Sequence, residues 1–108
     1  TATRFLNVNK GRLKMQEIKK GDLVKLKLPL LGNPEGTLGA VYEEYNLGND
    51  IVGVSVIFEN GEYDGFSIQE QAKMLDRQGH NEELAKYNHK NVRQLSKDFD
   101  AGVFNVIQ

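Results

Sequence analysis

The chain contains no cysteine. That absence excludes disulfide staples and every zinc site built on thiolates. It leaves 108 residues to be held by one hydrophobic core, with too little chain for two unstapled domains. Proline is scarce, with only Pro29 and Pro34. No apolar run approaches the roughly 18–20 residues a membrane-spanning helix needs, and residues 1–7 lack the apolar core and cleavage site of a signal peptide. A chain free of cysteine suits a reducing compartment, so a cytoplasmic protein is expected. Histidine is limited to His80 and His89, with no His-Glu-x-x-His spacing and no evident third ligand, so no metal site is expected. Phosphate-binding glycine loops and a Gly-x-Ser-x-Gly element are also missing. No catalytic residues and no cofactor are expected, and the chain reads as a non-enzyme.

What is present is an uneven charge distribution. Residues 1–28 carry eight bases against two acids; residues 29–70 carry eight acids and no Lys or Arg; residues 71–108 carry six bases and five acids. The near-zero total of -1 therefore conceals segments of +6, -8 and +1. Two readings stay open: a bipolar surface that meets charged partners, or basic and acidic strands paired side by side in one sheet.

Glycine-punctuated short segments predict strands and turns. Residues 23–28 alternate, with Val24, Leu26 and Leu28 on one side and Lys25 and Lys27 on the other, until Pro29 ends the run. A loop over 29–36 follows, then strands over about 37–45 and 51–59. Asn60-Gly61 marks a tight hairpin, and residues 62–66 return as a fourth strand. Ser67-Ile68-Gln69-Glu70 reads as a helix-opening capping box, with Ile68, Ala72 and Leu75 at helical spacing and Gly79 as the stop. A second helical stretch is predicted within 81–99, and residues 103–107 look like a closing strand. The whole is one domain over 1–108: a core over about 18–67, a helical region over about 68–100, and the closing strand over about 103–107.

The segment 18–67 resembles the small SH3-like β-barrels, including the KOW and Tudor variants. The resemblance rests on Gly21-Asp22-Leu23-Val24-Lys25-Leu26, on Gly36-Thr37-Leu38-Gly39-Ala40-Val41, and on Val54-Ser55-Val56-Ile57-Phe58 before Asn60-Gly61. It implies a mainly β fold, a small antiparallel barrel of about five strands carrying a C-terminal helical segment. The alternative is an open antiparallel sheet with helices on one face. Such barrels serve many roles. The first loop here is apolar and acidic where KOW-type RNA binders carry bases.

The expected function is a non-enzymatic protein-binding module, such as a small regulator or inhibitor of a larger complex. Its candidate contact residues are Leu30 and Leu31, apolar in a Pro/Gly-flanked loop, and Tyr42, Tyr45 and Tyr63, large amphipathic anchors. The other reading of each is internal packing. The alternative function is nucleic-acid binding through Lys10, Arg12, Lys14, Lys19, Lys20, Lys25 and Lys27, a set without the interleaved aromatics that stack bases. The oligomeric state stays open.

Overall fold

The computed structural model describes residues 17–108. Lys10, Arg12 and Lys14 lie outside the described residues. Five antiparallel strands form one sheet: β1 (Asp22–Leu26), β2 (Leu38–Leu47), β3 (Asp50–Phe58), β4 (Tyr63–Ser67) and β5 (Leu75–His80), in the order β4-β3-β2-β1-β5. The short helix α1 (Ile68–Met74) links β4 to β5, and α2 (Glu82–Ala85), α3 (Val92–Asp100) and a 3-10 turn (Asn105–Ile107) complete the chain. Among the described residues β4 and β5 do not pair, so the expected barrel is not closed. No described helix is long and apolar enough to cross a membrane.

Alternation builds the sheet's two faces. Val24, Leu26, Val41, Val54, Val56, Phe58, Phe66 and Leu75 point inward with Ile18 and form the inner core. Ala40, Tyr42 and Ile57 point to the other face, where Leu84, Leu95, Phe104 and Ile107 cover them as a second core. The C-terminal segment is therefore a roof over the outer face of β2 and β3. The first strand is shorter than its alternation suggests: it ends at Leu26, and Leu28 is half exposed.

Two local signals act as the sequence implies. Ser67 Oγ accepts from the Glu70 N–H at 3.2 Å and the Glu70 carboxylate accepts from the Ser67 N–H at 2.8 Å, a complete capping box. The Asn60-Gly61 turn links β3 to β4, with Gly61 at φ +87°. Asn60 does not take a positive φ. Its amide instead donates to the Leu31 carbonyl at 3.1 Å and its oxygen accepts from Asn33 Nδ2 at 3.1 Å, tying the turn to loop 29–36.

Two expectations are corrected. The helix predicted through Gly79 stops at Met74, and residues 75–80 become β5. Helical spacing is overridden because β1 has a free edge: β5 pairs along it from Leu26↔Leu75 to Asp22↔His80, and Leu75 enters the inner core. The closing strand at 103–107 is a turn and a 3-10 helix. With β5 on that edge of β1, the terminal segment docks by Phe104 and Ile107, three apart, and leaves Val103 and Val106 exposed. A strand would have separated Phe104 from Ile107 onto opposite faces.

Candidate functional site

A bulge in β2 shapes the outer face. Val41 pairs with Val56 and Glu43 with Ser55, so Tyr42 is the extra residue between them. Bulges re-aim side chains. Here Tyr42 lies down beneath the C-terminal roof, only 5% exposed, while Glu43 stands beside it on the same cleft. The Tyr42 ring meets His89 edge-on at 5.2 Å and Phe104 at 6.5 Å. His89 stacks parallel to Tyr87 at 6.0 Å.

The cleft measures about 360 Å³ and is lined by Lys20, Tyr42, Glu43, Glu44, Asn46, Asn88 and His89. The lysine is already engaged. Its ammonium donates to Asn88 Oδ1 at 3.1 Å, and its backbone N–H donates to Glu44 Oε2 at 2.9 Å. The cleft thus keeps acceptor capacity on two carboxylates and an aromatic wall. No known protein family, curated protein or solved structure matches the chain. The site's chemistry must therefore be read from its own residues.

Beyond Tyr42 the same face carries Tyr45 and Tyr63, both more than a third exposed. Tyr45 sits opposite Gly53, its ring 3.5 Å from where a glycine Cβ would stand. That is an ordinary contact; the tighter neighbour of such a Cβ is the Phe66 carbonyl oxygen at 3.2 Å. The Tyr45 hydroxyl lies 2.6 Å from Ser55 Oγ and donates to Glu43 Oε1 at 3.0 Å. Tyr42 shares Ser55 as a partner and feels the charges of Tyr45, Glu43 and Tyr63. The three tyrosines proposed from sequence share one sheet face, but Tyr45 stands opposite Gly53 and Tyr63 opposite Ile57, further along β3, and Tyr42 is a buried support and not a contact surface.

Burial is the main reason the Tyr42 phenol is pushed up to about 12; its bond to Ser55 opposes the shift. Tyr87 is raised as well, by burial first and then by its hydrogen bond to Asp98 at 2.7 Å. A raised phenol means the folded chain holds the proton more tightly. The linked stability is present below the ordinary phenol value of 10.0 and is lost as pH rises through about 12. In an alkaline titration, Tyr42→Phe is expected to remove one tyrosine's share of the tyrosinate absorbance rise near pH 12. An unchanged rise there would refute the assignment.

The leucine loop lies apart from this face. Leu30 exchanges backbone hydrogen bonds with Asn33 and packs on the inner core, so it is not a free contact residue. Leu31 is 40% exposed at φ +53°, an uncommon conformation for leucine. Of the basic set, Lys27 donates its ammonium to the Ala72 carbonyl and Lys25 stands opposite Asp76 in register. Lys19 uses its backbone N–H to bind Asp22. Sequence reasoning did not find Asn46, Asn88 or His89 as cleft residues. Nothing local marks them, because Lys20 and Asn88 meet across 68 positions.

Proposed function

We propose that the protein is a non-enzymatic protein-binding module, built on an SH3-like sheet, that receives a Lys- or Arg-bearing segment of its partner on the outer face. The SH3-like reading is supported by the strand order, by the short helix before the fifth strand, and by the glycines that lead β1 and β2. The observation that carries the binding reading is exposed Tyr45, bonded through its hydroxyl to Glu43, beside an open cleft lined by Glu43 and Glu44, with exposed Tyr63 on the same sheet face. Tyrosine supplies contact area at low entropic cost, and a cation over a tyrosine face gains further attraction. The lack of any Lys or Arg from 29 to 70 leaves β2, β3 and β4 with a single sign of charge.

Exposed Leu31 is a secondary contact in this reading. The nucleic-acid alternative is weakened because Lys20 and Lys27 already give their ammonium protons to protein oxygens.

The test is titration with hexalysine and with a same-length single-stranded oligonucleotide. Hexalysine binding is expected, declining with salt, and Tyr45→Ser with Tyr63→Ser together is expected to cost roughly tenfold or more in affinity at unchanged melting temperature. Oligonucleotide binding without hexalysine binding would overturn the proposal and favour the basic segment.

A further inference from the structure

Among the described residues Asp22 is a charged side chain with no solvent exposure, and the proposed binding surface does not use it. Its Oδ2 accepts from Arg77 Nε and from the Lys19 N–H, each at 2.9 Å. Its Oδ1 lies 2.7 Å from His80 Nδ1 and accepts from Arg77 Nη2 at 3.4 Å. The second ring nitrogen, His80 Nε2, lies 3.1 Å from Glu82 Oε2. One imidazole therefore bridges two carboxylates, one buried and one exposed. The charged groups around the ring are Asp22 from β1, Glu82 from α2 and, through Asp22, Arg77 from β5.

A neutral imidazole has one N–H; only the imidazolium donates from both nitrogens. Asp22 has no water to replace a lost donor, so the remaining proton of a neutral ring stays on Nδ1. The bare Nε2 lone pair then faces the Glu82 carboxylate, and two acceptors repel. The Glu82 arm, 79% exposed, is the one free to leave.

That arm belongs to a weak element. The four residues of α2 rest on the Asn81 cap, where Oδ1 accepts from the Leu84 N–H at 2.9 Å, and on close approach to Gly21. A Cβ on Gly21 would come within 2.7 Å of the Ala85 Cβ. Gly21 separates Asp22 of the tie from Lys20 of the cleft, and α2 runs directly into Asn88 and His89, the facing wall.

We propose that Asp22–His80–Glu82 is a proton-dependent tie that seats α2 and so sets the Lys20–Asn88 wall of the cleft, making binding at that site stronger on the acid side of the His80 titration. This rests on the proposed binding reading only for its consequence; the tie itself is testable without ligand. A histidine flanked by carboxylates is a recurrent element of pH-responsive interfaces.

The experiment is an NMR titration of the free protein from about pH 5 to about pH 8. The amides of Ala85, Lys86 and Lys20 are expected to follow the His80 ring with one midpoint. Hydrogen exchange at Ala85–Tyr87, corrected for intrinsic rate, is expected to accelerate roughly two- to fivefold across it. Glu82→Gln keeps an acceptor for Nε2–H and supplies a donor to the bare lone pair, so it should flatten both responses. His80 and His89 both remain in that variant, and the midpoints of the two rings, read separately, assign any residual shift. Amides that ignore the His80 midpoint, or that respond equally in Glu82→Gln, would overturn the tie. Hexalysine affinity should fall on the alkaline side in the parent and not in Glu82→Gln. If hexalysine binds at no pH, the binding reading fails while the shifts still judge the tie.

Discussion

Replacing Asp22 with alanine is expected to lower the unfolding free energy by about 3 kcal/mol, read from the urea midpoint. Removing one partner of a buried ion pair costs roughly 3–5 kcal/mol when the other is left buried and uncompensated. The lower figure applies because Arg77 and His80 keep side-chain exposures of 35% and 23% and can regain water. The loss also orphans the Lys19 N–H, which the Asp22 carboxylate holds in the turn before β1. Asp22→Asn retains an acceptor for that N–H and should cost less, about 2 kcal/mol. Equal midpoints for the parent and Asp22→Ala would mean that β1 and β5 are held by their ladder alone.

The second large effect is at Phe104, which has no exposed surface. Its ring meets Tyr87 at 5.0 Å, Phe99 at 6.4 Å and Tyr42 at 6.5 Å, so it is the centre of the roof over the outer face. Phe104→Ala is expected to cost about 3–5 kcal/mol from lost burial and the cavity left behind. The corresponding drop in melting temperature is about 15 °C or more for a domain of this size. The variant also uncovers Tyr42 and Ile57, so it should bind a hydrophobic dye that the parent ignores. A small change in melting temperature with no dye binding would mean the terminal segment contributes little to the outer core.

The meander β2-β3-β4 was legible because its cues are local. Val54, Val56 and Phe58 alternate, Asn60-Gly61 turns, and Ser67 with Glu70 caps the next helix. Residues 75–80, Leu-Asp-Arg-Gln-Gly-His, hold one large apolar side chain and no alternation. They become a strand because β1 offers an edge and Asp22 offers Arg77 a buried partner, both properties of distant sequence. The tyrosines were legible as a set, since Tyr42 and Tyr45 lie near each other on β2. The fate of Tyr42 was not. Its burial depends on a bulge and on a roof formed some sixty residues later, at Phe104. For the same reason Leu30 and Leu31, adjacent in sequence, end in opposite environments: one packs on the inner core, and the other is exposed at positive φ.

The distance in sequence between the two strands that Asp22 joins has a kinetic meaning. The hairpin pairings of β2, β3 and β4 close short loops, whereas Asp22 and Arg77 are separated by 55 positions. Loop-closure entropy is met before such a contact gives anything back. The β1–β5 seam is therefore expected to form after the barrier, with the meander as the nucleus. A weakened seam then shows in the unfolding limb of a chevron and leaves the folding rate nearly untouched. Substitutions at Asp22, Arg77 and His80 are then expected to act on the lifetime of the native state, and those at Val54, Val56 and Phe58 on the rate at which it is reached.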